Sequence, residues 1–284
     1  MSGAGRVALG DLEVDRLGFG AMRITGDGIW GPPADPDGAV ALLHRVRELG
    51  VEFIDTADSY GPNVSEELIA RAPRPFDGLV LATKAGFTRT GPGRWLRDGR
   101  PEHIRAALEG SLRRLCVDAI DLYQFHWPDP AVPFEDSLAP FVEARAQGKV
   151  RQIGVSNVSV EQLERALAMS EIVSVQNEYS ASDRSGQDVL DFCTEHGIAF
   201  IPYSPLDSGD IAQGGGALER IADARGATPA QIALAWLLAI SPVMLPIPGT
   251  SRIAHLEENV AAAEIALSDA ELAELAELAE LSGA

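Results

Sequence analysis

The stretch Val40-Ala41-Leu42-Leu43-His44-Arg45-Val46-Arg47-Glu48-Leu49-Gly50-Val51-Glu52-Phe53-Ile54-Asp55 holds the pattern that decides the fold. Over 37–49 the residues Val40, Leu43, Val46 and Leu49 recur every three positions, the spacing of a one-sided helix. Residues 51–55 then form a short apolar run ending in a carboxylate, which reads as a strand buried on both faces. This alternation of helix and buried strand returns along the whole chain.

Runs of the same kind lie at 17–20, 79–83, 119–125, 150–155, 172–176, 199–202 and 243–247. Helical spacing fills the intervals. In 101–115, Pro101 suits a first helical turn, and Ile104, Leu108, Leu112 and Leu115 share one face. Segments 161–167 and 189–196 behave alike, and Thr228-Pro229 opens a helix through Leu238. Ser268 and Glu271 form a capping box ahead of a terminal helix of Leu-Ala-Glu repeats. Residues 6–14 read as a hairpin turning at Gly10-Asp11. Eight strands alternating with helices over 284 residues predict an α/β fold, the (β/α)8 TIM barrel, with an N-terminal hairpin and an extra C-terminal helix. An open doubly wound sheet is the alternative. No linker or break in composition appears, so residues 1–284 read as one domain.

The formal net charge of −19 repels phosphate backbones and argues against nucleic-acid binding. Cys116 and Cys193 form no CxxC pair or disulfide framework. Residues 1–10 lack the pattern of a signal peptide. The longest apolar run, 232–240, has nine residues, too few for a membrane span. A cytoplasmic protein is expected. No His/Asp/Glu cluster has metal-ligand spacing, so no metal is expected. His44, His103 and His196 fall on predicted helices and read as surface residues.

In such barrels chemistry sits at the C-terminal ends of the strands. The polar residues ending the apolar runs are Asp55, Lys84, His126, Ser156-Asn157, Gln176-Asn177 and Tyr203-Ser204, and the eighth run leads into Gly249-Thr250-Ser251-Arg252. All would face one mouth. Trp30, Trp95 and Trp127 sit in predicted loops there, and Trp30 and Trp127 read as walls for a substrate ring. Trp236 lies in an apolar helix and reads as core.

In this order the chain resembles the aldo-keto reductase superfamily. The matching pieces are Leu17-Gly18-Phe19-Gly20-Ala21-Met22, Phe53-Ile54-Asp55-Thr56-Ala57-Asp58-Ser59-Tyr60-Gly61, Thr83-Lys84 and His126-Trp127-Pro128-Asp129. Ile153-Gly154-Val155-Ser156-Asn157, Val175-Gln176-Asn177-Glu178-Tyr179, Tyr203-Ser204-Pro205-Leu206 and Ile247-Pro248-Gly249-Thr250 follow. Gly31-Pro32-Pro33 and the ending through Glu258-Asn259 resemble a bacterial branch with pyridoxal reductase-like members.

The resemblance implies reduction of an aldehyde or ketone by hydride from NADPH. Asp55, Tyr60, Lys84 and His126 are then the catalytic group. Tyr60 would deliver the proton, with Lys84 lowering its pKa from the usual ~10. Asp55 would hold Lys84 charged, and His126 would orient the carbonyl oxygen. By resemblance, Ser156, Asn157 and Gln176 meet the nicotinamide amide, and Tyr203 stacks on its ring. Gly20, Ala21 and Met22 lie near the nicotinamide ribose. Ser204, Pro205, Leu206 and Ser208 line the pyrophosphate path, with Gly214-Gly215-Gly216 as a loop over it. Ile247, Gly249, Thr250, Arg252, Glu258 and Asn259 hold the adenosine 2′-phosphate end. Many family members carry lysine at position 249 and arginine at 255. Here Gly249 and His255 stand there, leaving Arg252 as the expected cation and putting NADP-over-NAD preference in question. Two other readings stay open. One is an NADPH-binding regulatory subunit like the potassium-channel β-subunits. The other is an aldolase-type barrel with Lys84 as a Schiff-base lysine.

Overall fold

The computed structural model describes residues 3–72, 78–206 and 216–276. The hairpin comes first, β1 (Arg6–Leu9) against β2 (Leu12–Asp15), turning through Gly10 at φ 70°. The barrel strands β3 (Phe19–Gly20), β4 (Phe53–Asp55) and β5 (Val80–Ala85) follow, all parallel. A second antiparallel hairpin, β6 (Phe87–Gly91) and β7 (Arg94–Arg97), leaves the end of β5. The parallel series resumes with β8 (Ile120–Phe125), β9 (Val150–Ser156), β10 (Ser174–Gln176) and β11 (Ala199–Phe200). Each barrel strand pairs with the barrel strand before it in sequence.

The eighth predicted run, 243–247, makes no ladder. Pro242, Pro246 and Pro248 interrupt it, and proline has no N–H to donate. The run still occupies the eighth place. Phe200 N donates to Val243 O at 2.8 Å and Leu245 N to Phe200 O at 2.8 Å on one side. On the other, Gly18 N donates to Pro246 O at 2.9 Å and Gly20 N to Pro248 O at 3.4 Å. The ring therefore closes through four bonds.

Helices cover the outside: α1 (Pro36–Glu48), α2 (Val64–Arg71), α3 (Pro101–Leu115), α4 (Phe134–Ala146), α5 (Val160–Met169) and α6 (Gln187–His196). They continue with α7 (Ala217–Arg225), α8 (Pro229–Ile240), α9 (Ile253–Ala261) and α10 (Asp269–Ala276). In α3, Ile104, Leu108, Leu112 and Leu115 are all buried, as their spacing predicts. In α1 the buried face is Ala39, Leu42, Leu43 and Val46, with Val40 and Leu49 at its border, because the true repeat is 3.6 and not 3. Buried residues from the barrel strands and the eighth segment (among them Phe53, Val80, Leu122 and Leu245) join Val7, Leu9 and Val14 of the first hairpin in one cluster. The hairpin thus plugs the N-terminal end, and each of its three apolar side chains contributes roughly 1.5–3 kcal/mol by burial.

Arg16 ties this end together. Its guanidinium is buried and donates to the carbonyls of Ala4 (3.0 Å), Leu238 (2.6 Å), Met244 (3.2 Å) and Ser241. The terminal helix packs as expected. Ser268 and Glu271 cap α10, Arg225 grips Glu271, and Arg184 donates to the carbonyls of Leu275 and Ala276. No described helix is long and apolar enough to cross a membrane.

Candidate active site

Neighbouring strand ends gather the polar residues. Asp55 ends β4, Lys84 lies near the end of β5, and His126 follows β8 directly. Tyr60 sits in the turn between β4 and α2. Lys84 Nζ donates to Asp55 Oδ1 at 2.5 Å, to Thr56 O at 2.9 Å and to Tyr60 Oη at 3.3 Å. All three ammonium hydrogens have acceptors, which a fully buried lysine requires. Asp55 Oδ2 accepts the side-chain amides of Gln124 at 3.1 Å and Gln176 at 2.9 Å. The His126 ring stands edge-on to Tyr60 with centroids 5.9 Å apart, and the Ser59 hydroxyl lies 3.5 Å from its Nδ1.

Burial and charge set the protonation states. Burial pulls the Lys84 ammonium down, but Asp55 and then Tyr60 more than reverse this, so its pKa is raised. Burial pushes the Tyr60 phenol up, and Lys84 offsets this only in part. The expected lowering by Lys84 is present, but the net shift is upward because the ring is buried. Burial, then the Lys84 charge, drives His126 well below the ordinary histidine value, so it is a neutral imidazole near pH 7. Behind Lys84, burial and then the Glu66 carboxylate push Asp58 well up.

The second hairpin walls the mouth, where the sequence pointed to loops. Trp95 on β7 stands edge-on to Tyr60 (6.3 Å) and to His126 (6.4 Å). Phe87 on β6 packs against His126 at 4.7 Å and Trp127 at 6.0 Å. Arg89 lies 3.6 Å from the Trp95 ring centroid and donates to the carbonyls of Ser59 and Gly28. This arginine fastens the hairpin to the turn that carries Tyr60.

A cleft of about 1690 Å³ opens beside the group. Asp55, Tyr60, Gln176, Tyr203 and Trp30 line its inner end, with Gly20, Met22, Ser204, Pro205, Leu206 and Ile247 along it. Gly249, Thr250, Arg252, His255, Glu258 and Asn259 line the far end, where α9 begins. Ala21 lies beneath, fully buried, its carbonyl held by Ser65 Oγ. Ser156 is also buried, donating to Gln176 O at 2.6 Å. Asn157 adopts φ 58° and joins three strand ends. Its Nδ2 donates to His126 O and Ser156 Oγ, and its Oδ1 accepts from Tyr203 Oη. Neither Trp127 nor Asn157 lines the large cleft; both line a separate recess. Ser208, Gly214 and Gly215 lie outside the described residues.

Three features escaped sequence reading. Gln124 shares Asp55 with Gln176, which only the register Lys84↔Gln124 reveals. Arg23 lines the cleft as Arg252 does, so the cleft holds two guanidinium groups where one was expected. A side chain at position 249 would meet the Gly20 carbonyl oxygen at 2.8 Å, so glycine there lets the two backbone segments approach this closely. His103, expected at the surface, is half-buried, 3.7 Å from Asp98. His44 and His196 are exposed and Trp236 is buried, as expected.

Known proteins resemble this chain in both sequence and fold. Residues 16–280 match the aldo/keto reductase family. The chain is 48% identical over 267 residues to an uncharacterised oxidoreductase of Schizosaccharomyces pombe, covering 94% of this chain and 87% of that one. It is 40% identical over 269 residues to pyridoxine 4-dehydrogenase of Escherichia coli, covering 92% and 93%. Among solved structures, an aldo-keto reductase from Klebsiella pneumoniae in complex with NADPH superposes with a TM-score of 0.81 at 31% identity, covering 96% of this chain and 94% of that one. The chain belongs to the aldo/keto reductase family.

Proposed function

We propose that this protein is an NADP-dependent oxidoreductase that reduces an aldehyde or ketone to the alcohol, with Tyr60 as the proton donor. The observation that carries the reading is the bonded chain Asp55–Lys84–Tyr60 at the inner end of a cleft large enough for a dinucleotide. Its volume exceeds the ~300–1,000 Å³ usual for a small-ligand pocket. The residues present fit such a cofactor. Arg23 and Arg252 in the cleft suit a phosphate, and the start of α9 adds unsatisfied backbone N–H groups. A bound nicotinamide dinucleotide supplies the hydride.

The residues of this chain handle the proton and the oxygen. As charge grows on the carbonyl oxygen, Tyr60 gives up its phenolic proton to it. The adjacent Lys84 ammonium stabilises the phenolate left behind, the state that burial alone disfavours. Asp55, with both oxygens occupied, keeps Lys84 charged while it does so. The neutral His126 ring offers an N–H to the same oxygen. Tyr203 and Gln176, which line the inner end of the cleft, would hold the nicotinamide there. Pyridoxal is a candidate substrate, supported by the relationship to pyridoxine 4-dehydrogenase.

The test is aldehyde-dependent loss of NADPH absorbance, run on a panel that includes pyridoxal. Tyr60→Phe should abolish turnover while NADPH still binds. Wild-type turnover by that variant overturns the assignment. NADPH binding with no turnover of any aldehyde would favour a regulatory subunit instead.

A further inference from the structure

The second hairpin inverts the charge of the molecule around it. The sequence holds 42 acidic against 23 basic residues, yet 87–97 contains Arg89, Arg94 and Arg97 and no acidic residue. Elsewhere Arg6, Arg45, Arg105, Arg114, Arg151 and Arg225 all bond carboxylates. Among the described residues no hairpin arginine does. Arg89 spends its donors on carbonyls. Arg97 lies 4.8 Å from the Trp127 ring centroid, and among the described residues its guanidinium has no hydrogen bond or ion pair.

Arg97 and Trp127 form one side of a recess of about 310 Å³, with Asn157, Gln162 and Arg165 among the residues opposite. The acidic groups near it are already engaged. Asp129 accepts the backbone N–H groups of Gly99 (3.0 Å) and Ala131 (2.9 Å). Arg165 holds Glu135 in a two-bond fork of 2.7 and 2.8 Å. Asp129 keeps its charge, and Arg97 is the guanidinium of the recess with no carboxylate partner among the described residues. Gln162 sits in the first turn of α5, whose dipole adds positive potential. Gln162 Oε1 accepts Ser159 N, leaving its amide NH2 as a donor. The recess is close to the reacting group. Trp127 follows His126, and the Phe87 ring packs on both.

We propose that this recess is a subsite for an anionic group, a carboxylate or a phosphate monoester, on the carbonyl substrate, with Arg97 as its counter-charge. The proposal rests on the reductase reading above. Stacking on Trp127 holds the guanidinium plane before a ligand arrives, so less side-chain freedom is lost on binding. The planar fork suits two oxygens of one anion.

The experiment compares wild type with Arg97→Gln, using saturating NADPH and three aldehydes: 4-carboxybenzaldehyde, 4-formylphenyl phosphate and uncharged 4-methylbenzaldehyde. The substitution should lower kcat/KM about tenfold for an anion that uses the subsite, mainly through KM. The uncharged aldehyde should stay within twofold, as should NADPH affinity. Arg97→Lys should recover part of the loss. A loss confined to one anion identifies the ligand as carboxylate or phosphate. Equal effects on charged and uncharged aldehydes, or no effect on any, overturn the subsite while leaving the reductase reading intact. No turnover of any of the three by wild type overturns both.

Discussion

Asp55→Asn isolates the buried ion pair at the centre of the site. The substitution keeps the shape, the Oδ1 acceptor for Lys84 and nearly all the packing. What it removes is the negative charge 2.5 Å from a fully buried ammonium. Loss of one partner of a buried pair costs about 3–5 kcal/mol. The lower end applies here, because Lys84 retains Thr56 O and a neutral oxygen at position 55. At roughly 2–3 °C per kcal/mol for a chain of this length, Tm at pH 7 should fall by about 6–9 °C. The pH dependence gives the sharper test. In the wild type the Lys84 pKa is raised, so its contribution is complete below the unfolded value and is lost as pH climbs through the folded one. In the variant burial acts on Lys84 without its main opponent, and the folded pKa drops below the unfolded one. Stability should then rise with pH between those two values, the opposite slope. Thermal unfolding followed by circular dichroism from pH 7 to 10 reads the variant's rise against a wild type whose Lys84 contribution is still complete over that range. A variant within about 2 °C of wild type across that range, with the same slope, would refute the buried-pair argument. Turnover should also fall by roughly 10²–10⁴, since an uncharged Lys84 no longer stabilises the phenolate.

Other perturbations separate the remaining parts. Tyr60→Phe should lose a comparable factor in kcat yet change stability by only about 1 kcal/mol, because it removes one long hydrogen bond; chemical denaturation beside steady-state kinetics checks the pair. Arg23→Ala should weaken NADPH about tenfold and leave NADH nearly unchanged, as read by tryptophan fluorescence titration; equal losses for both cofactors would place Arg23 away from the 2′-phosphate. Arg16→Met should cost about 3 kcal/mol by orphaning several buried carbonyls, with kcat of the folded enzyme unaltered. With His126 held low and Tyr60 held high, kcat/KM for an uncharged aldehyde should be flat from pH 6 to 8. An inflection near 6.5 that vanishes in His126→Asn would contradict the neutral-imidazole assignment.

Sequence carried the barrel because period and burial coincide there. Runs such as 79–83 are apolar but for their last residue, and the strand they form is buried along its whole length. The run 243–247 has the same composition, but its flanking and internal prolines deny it a ladder, which hydrophobicity alone does not register. The meeting of Asp55, Lys84 and Tyr60 was legible because strand ends converge in this architecture. Gln124 was not, since its role depends on register across a ladder. The hairpin at 87–97 was missed because its residues are mostly polar or exposed, with no apolar alternation to betray a strand. Arg23 escaped for a related reason. Its place beside Gly249, far away in sequence, is set by the fold alone.

The four bonds that close the ring have a mechanical consequence. Two of them make a seam, with 18–20 on one lip and 246–248 on the other, while the other two join 243–245 to Phe200. The large cleft runs along its upper edge, touching Gly20, Met22 and Arg23 on the first lip and Ile247, Gly249 and Thr250 on the second. A dinucleotide lying there would bridge both lips and act as a rivet across a join held by two backbone bonds. Amide exchange at Gly18 and Gly20 should then slow when NADPH is added, well beyond any change at the β8–β9 ladder opposite.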